Sequence, residues 1–234
     1  MFWKKIYQYL YKLIPLWFIL LSLSLSYALY LSLFNSPDDY RQFEYVRIMY
    51  IHVPSAWISM LLYLFLGISS LIFLTWNNLY CNIYAYVSAN IGCFFCSLCI
   101  ISGSIWGRIV WGTWWIWDAR LISMAVLLCL YIGYLILWNY GEQYEKLASL
   151  FSILGLINLP IIHFSVTLFR TLHQKSSIFR KSGVSIDPEM LKPLIFMFIS
   201  FLLFSLYIGL LKTKTIMNIK KIRGMEKRKM AQYM

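Results

Sequence analysis

Six apolar stretches, each about 20 residues long, dominate this chain, and that is the length a helix needs to cross the roughly 30 Å hydrocarbon core of a bilayer. They run approximately over 13–34, 53–76, 83–105, 120–139, 147–168 and 190–211. In hydrocarbon a spanning segment must satisfy its own backbone hydrogen bonds, which leaves helices or closed barrels. Barrel strands would be half as long and would alternate in polarity. Residues 21–26 (LSLSLS) do alternate, but they sit inside a longer apolar run, and serine is tolerated in membrane helices. Only 13% of the residues are charged, against about 25% in a soluble domain. That excludes an ordinary cytosolic enzyme, a disordered tail and a secreted disulfide scaffold. The expected fold is an all-α integral membrane protein: a bundle of six transmembrane helices in a single membrane domain, 1–234, with no repeat and no linker.

Charge sets the expected orientation. Lys4, Lys5 and Lys12 precede the first span, and Lys212, Lys214, Lys220, Lys221, Arg223, Lys227, Arg228 and Lys229 follow the last. The positive-inside rule then puts both termini on the inner side, with the first, third and fifth loops together outside. The fifth loop carries Arg170, Lys175, Arg180, Lys181 and Lys192, but the tail outweighs it. A net charge of +12 could suggest nucleic acid. The strongest basic cluster directly follows a span, however, so anionic membrane lipid is the expected partner and nucleic acid is not. The first apolar run is too long for a cleavable signal and lacks a small-residue cleavage site.

Five cysteines occur, none in an outer loop. Cys93, Cys96 and Cys99 share a helix face at i, i+3, i+6, a spacing that would suit a redox or metal motif. Packing between helices is the preferred reading.

The chemistry concentrates in the outer loops. Trp106, Trp111, Trp114, Trp115 and Trp117 fall within twelve residues, half of the chain's ten tryptophans, and Asp118 and Arg120 follow. Interfacial tryptophan commonly anchors helices to headgroups, but one or two rings per helix end suffice for that. A row of indoles also makes a flat, partly polar platform, suited to a large planar ligand, and that reading is favoured. Pro54 is expected to open the second span, leaving His52 just outside it. His173 lies a few residues beyond the fifth span. Two histidines thus reach the same side at similar depth. Neutral imidazole is a common axial ligand for haem iron, and Arg47, Arg120 or Arg170 could meet the propionates. His163, about 15 Å deeper if the helix continues, is read as an intramembrane hydrogen-bonding residue near Asn158 and Pro160, where the helix can kink. Asp187 and Pro188 read as the start of the sixth helix. No GxxxxGK[ST], HExxH or GxSxG motif occurs, so any ATP would be handled by a partner.

The segment W-G-T-W-W-I-W-D-A-R-L (111–121) resembles the tryptophan-rich WWD signature of haem-handling proteins of cytochrome c assembly. R-I-M-Y-I-H-V-P (47–54) and T-L-H-Q (171–174) resemble the histidine motifs of one family in it, cytochrome c maturation protein C (CcmC). The longer CcmF and CcsA families share the tryptophan motif but have more spans. Leu168-Phe169-Arg170 stand where the family commonly has Trp-Trp-Asn; Phe169 keeps an aromatic wall. The resemblance implies that His52 and His173 are axial ligands of haem b. It also implies that Trp106, Trp111, Trp114, Trp115, Trp117 and Asp118 form the platform shared with the haem chaperone CcmE. The ABC subunits CcmA and CcmB, and in bacteria CcmD, are the implied further partners. The implied role is presentation of haem for covalent attachment to the chaperone, rather than catalysis by an enzyme in its own right. A haem export channel and a permanent haem-containing redox subunit are the alternatives. The wealth of Ile and Lys over Ala and Arg fits an AT-rich genome, and no transit peptide is seen. The expected location is the mitochondrial inner membrane, with a bacterial inner membrane as the alternative.

Overall fold

The computed structural model describes residues 9–169, 171–173, 183 and 185–232. Arg170, Lys175, Arg180 and Lys181 lie outside the described residues, as do Lys4 and Lys5. Residues 9–12 are helical, and the helices whose bounds fall among the described residues are, in order, α1 (Ile14–Tyr30), α2 (Met49–Trp76), α3 (Leu79–Val110), α4 (Ala119–Tyr140), α5 (Glu145–Leu154), α6 (Asn158–Leu168) and α7 (Pro188–Gln232). They provide six stretches long and apolar enough to cross a membrane, with α5 and α6 sharing one. No strand occurs among the described residues.

Local sequence explains the breaks. α1 opens with Pro15 in its first turn, where a missing N–H costs nothing. Asn77 ends α2 in the left-handed region (φ 48°), which Asn tolerates. Asn78 then caps α3, its Oδ1 accepting from the Tyr80 and Cys81 amides. Two asparagines therefore suffice to reverse the chain. The fifth span is broken by a 3-10 turn at Gly155–Ile157. Pro160 cannot donate to the carbonyl of Leu156 and its ring crowds it, which fits a break at this point. Asp187 starts α7 as expected, its Oδ1 accepting from the Glu189 amide at 2.7 Å.

Two boundaries correct the sequence reading. Pro54 does not open the second span. A 3-10 turn at Glu44–Ile48 feeds directly into α2 at Met49. His52 is therefore inside the helix, in its first turn, and Pro54 removes only the bond to the Tyr50 carbonyl. The basic tail, expected to follow a span ending near 211, instead continues the same helix to Gln232. At 1.5 Å per residue α7 is about 68 Å long, roughly twice the hydrocarbon thickness.

The α2–α3 hairpin is the centre of the bundle. α7 packs against both of its helices and carries α1, α4 packs on α3, α5 packs on α2 and α4, and α6 packs on α4. One core cluster joins Tyr63 and Leu66 of α2, Ala89 and Cys96 of α3, and Leu127, Tyr131 and Tyr134 of α4. A second joins Ile58, Ile83, Val87, Ile91 and Phe95 to the phenylalanines of α7. All five cysteines are free, and Cys96 and Cys99 are buried in the first cluster, as the packing reading expected. Span serines bond across helices: Ser24 to Ser200 at 2.8 Å and Ser152 to Ser70 at 2.9 Å. The alternating LSLSLS segment is helical and supplies one of these contacts.

Polar groups gather at the two ends of the bundle. At one end Glu145, 8% exposed, accepts from Lys220 Nζ at 2.6 Å and from Asn82 Nδ2 at 2.5 Å. Asn82 Oδ1 accepts in turn from the Trp138 indole at 3.0 Å. Tyr11, before α1, meets Lys214 of α7 at 2.7 Å near this end, so the described parts of both chain termini lie together. The second polar end carries the histidines. Gly103 is 21 residues along α3 from Asn82, about 32 Å.

Candidate functional site

His52 lies on α2, facing α3. Its Nδ1 is 3.0 Å from the Cys99 carbonyl oxygen and 3.3 Å from Ser102 Oγ. A carbonyl can only accept, so Nδ1 carries the proton and Nε2 keeps its lone pair. The ring fits because Gly103 has no side chain: a Cβ there would stand 2.7 Å from His52 Cε1. Trp106, one turn further along α3, meets the imidazole edge-on at 5.7 Å. Its indole N–H donates to Gln42 Oε1 at 2.8 Å, so the loop before α2 fixes this wall.

Residues 111–118 link α3 to α4 without regular structure. Gly112 makes the first bend at φ 75°, a conformation that glycine adopts without strain. The Arg108 side chain donates to its carbonyl. Asp118 ends the link as the cap of α4, its Oδ1 accepting from the Leu121 amide at 2.9 Å. Its other oxygen accepts from His173 Nδ1 at 2.8 Å. A carboxylate also only accepts, so His173 has the same tautomer as His52, and neither Nε2 has a partner among the described residues. Trp111 stands edge-on to this ring at 5.0 Å.

The electrostatics support that state. Burial holds the His173 imidazole below its ordinary pKa, against the opposing pull of Asp118. The ring is therefore neutral at neutral pH, with Nε2 able to donate electrons. Burial pushes the Asp118 carboxyl up, but the Leu121 amide and the His173 and Thr171 side chains outweigh it and leave its pKa below the ordinary value.

The five tryptophans divide their work. Trp106 and Trp111 each wall one histidine. Trp115 and Trp117 meet at 78°, so they do not continue one flat surface. Trp114 and Trp117 are exposed, Trp117 at 81%. Arg120, partly buried, lies within electrostatic reach of both histidines, and its Nε lies 3.5 Å from Ser165 Oγ. Arg47 pairs instead with Asp38 at 3.2 Å. Arg170 is outside the described residues. His163 lies on an exposed face of α6, edge-on to Phe164. Asn158, read as its neighbour, bonds the Ser123 carbonyl at 2.9 Å.

Gly103, Ser102, the Cys99 carbonyl and Gln42 were not singled out in the sequence. Gly103 alone carried a signal, since glycine inside a helix costs about 1 kcal/mol relative to alanine and often marks a close approach.

Fold and site together define an integral membrane protein of helical spans that brings two imidazoles, each with Nδ1 engaged by an acceptor, to one end of the bundle beside a tryptophan-rich link. The sequence profile of heme exporter protein C (CcmC) matches residues 3–228. The chain belongs to that family. A putative cytochrome c biosynthesis ccmC-like mitochondrial protein of Marchantia polymorpha is 41% identical over 189 residues, covering 81% of each chain. Heme exporter protein C of Bradyrhizobium diazoefficiens is 39% identical over 82% of this chain and 74% of its own length. Heme exporter protein C of Escherichia coli K12 is 38% identical over 80% and 77% respectively.

Proposed function

We propose that this protein holds haem as a cargo between His52 and His173 and presents it to the haem chaperone CcmE during cytochrome c maturation. Family membership supports the haem-handling role. One observation carries the assignment to this site: both imidazoles have Nδ1 engaged by acceptors, which leaves both Nε2 atoms available to iron. Trp106 and Trp111 flank the rings, and Arg120 is placed to meet propionate. The cargo supplies the iron and the reactive vinyl edge. The chain supplies position, which in well-aligned reactions can be worth roughly 7–11 kcal/mol. Exposed Trp114 and Trp117 form the surface offered to the chaperone. The histidine end faces the intermembrane space or periplasm, and the basic end of α7 faces inward, in line with the positive-inside rule. The membrane is the mitochondrial inner membrane. CcmA and CcmB, with CcmD in bacteria, complete the assembly and supply the ATP hydrolysis for which this chain shows no motif.

The test is the absorption spectrum of the purified protein offered haem, alone and co-expressed with CcmE. Wild type should show a Soret band. His52→Ala and His173→Ala should each weaken or shift it and reduce chaperone loading at least tenfold. His163→Ala should leave both unchanged, because that ring lies on an exposed face of α6 against Phe164. A colourless wild type, or an unaltered band in both ligand variants, would overturn the assignment.

A further inference from the structure

The two imidazoles share a tautomer but not an environment. His173 Nδ1 donates to a carboxylate at 2.8 Å, in a pair whose side chains are only 17% and 9% exposed. Asp118 is itself fixed, because its second oxygen caps α4. His52 Nδ1 donates to a neutral main-chain carbonyl at 3.0 Å, and that carbonyl also takes the Ser102 hydroxyl at 3.1 Å. Among the described residues, the charged or titratable side chains that face His52 are His173, Arg120 and the Cys99 thiol, whose Sγ is 3.8 Å from Nδ1, none of them a carboxylate. Charge-assisted bonds are roughly twice as strong as neutral ones. A carboxylate behind a ligating histidine also raises the basicity of its far nitrogen and fixes the ring.

We propose that the two histidines are unequal ligands by construction: Asp118 is the positioning residue that makes His173 the ligand retained, and His52 is the ligand given up at transfer. This rests on the reading of the pair as haem ligands. It gives Asp118 a role other than that of a platform residue. It also sets an order of release. The His52 ring is carried on a 28-residue helix and abuts Gly103, so it cannot follow a ligand drawn towards a partner. His173 stands beyond the end of α6, after an extended Phe169. Its stronger donor nitrogen keeps hold while the opposite face is freed.

The test has a haem-free arm and a loaded arm. With three histidines in the chain, ¹⁵N-histidine spectra of the haem-free protein can be assigned by single substitutions. Wild type should show the Nδ1–H tautomer at both His52 and His173. Asp118→Asn should lose it at His173 alone. Asparagine caps helices as well as aspartate does, so α4 should keep its start, and an unchanged melting transition checks this. In the loaded arm, Asp118→Asn should bind haem about 10–100-fold more weakly, the usual cost of removing such a partner. Free imidazole should restore the wild-type spectrum of His52→Ala at a concentration at least tenfold lower than His173→Ala requires. A wild type with no Soret band overturns the haem reading and this inference with it. A wild-type band, with Asp118→Asn within twofold in affinity or equal imidazole requirements in the two alanine variants, overturns the inference alone. An unchanged His173 tautomer in Asp118→Asn does the same.

Discussion

Replacing Gly103 with alanine is expected to impair haem retention nearly as much as removing His52 itself, although Gly103 would touch no haem. The added methyl carbon would stand 2.7 Å from His52 Cε1 and 3.1 Å from Nδ1, closer than carbon and nitrogen pack. Alanine favours a helix over glycine by about 1 kcal/mol, so α3 gains intrinsic stability and the conflict falls on the imidazole. The ring must swing away and break its 3.0 Å bond to the Cys99 carbonyl. Displacement of a reacting group by about 1 Å can cost 10²-fold, and a loss of at least tenfold in affinity is expected here. Gly209→Ala is the control, since a Cβ there meets Ile91 at 3.8 Å and Val87 at 3.9 Å, both ordinary contacts. Haem titration of the two variants, with melting curves of the haem-free proteins, checks this. Wild-type affinity in Gly103→Ala would mean that His52 does not need this seat.

The second large effect is expected at the opposite end. Lys220→Met leaves the Glu145 carboxylate with Asn82 as its one remaining side-chain partner in the cluster, at a site where the Lys and Glu side chains are only 15% and 10% exposed. Breaking a buried pair from one side typically costs about 3–5 kcal/mol, because the remaining charge stays desolvated. A loss near 3 kcal/mol is expected, towards the lower bound because Lys220 lies near the bundle's edge. Lys220→Met combined with Glu145→Leu should recover most of it, since removing both charges can be nearly neutral. A double-mutant cycle in denaturant or thermal unfolding measures the coupling. A cost below about 0.5 kcal/mol for Lys220→Met would show that water screens the pair as at an exposed surface.

The spans were legible because a bilayer imposes one length and one polarity on them, and all six apolar runs became helical spans. Their ends were less legible. Proline as a first helical residue is a statistical preference, and at Pro54 the preceding 3-10 turn overrides it. The tail at 212–232 lost its apolar character, yet helix formation does not require that, and Lys214 and Lys220 find partners in Tyr11 and Glu145. The histidines, tryptophans and Asp118 could be named from residue type and spacing. What holds them could not, because His52 finds its acceptor 47 positions away and His173 finds its acceptor 55 away. A glycine and a main-chain carbonyl carry no chemistry of their own in a sequence. They acquire it only once α2 and α3 are packed.

The length of α7 has a mechanical consequence. The ion pair at Lys220 acts as a fulcrum about 48 Å from Pro188, with some 18 Å of exposed basic helix overhanging it. Only the bond to the Glu189 carbonyl is missing, at Pro193, and from there to Gln232 the unbroken helix transmits tilt rather than absorbing it. A rotation of about 5° at that fulcrum would move the start of the helix by roughly 4 Å. That start is Pro188, which directly follows the segment joining His173 to α7. A load taken up by the overhang is thereby passed to the far end of α7, about 48 Å away, from which the chain leads back in sequence to His173.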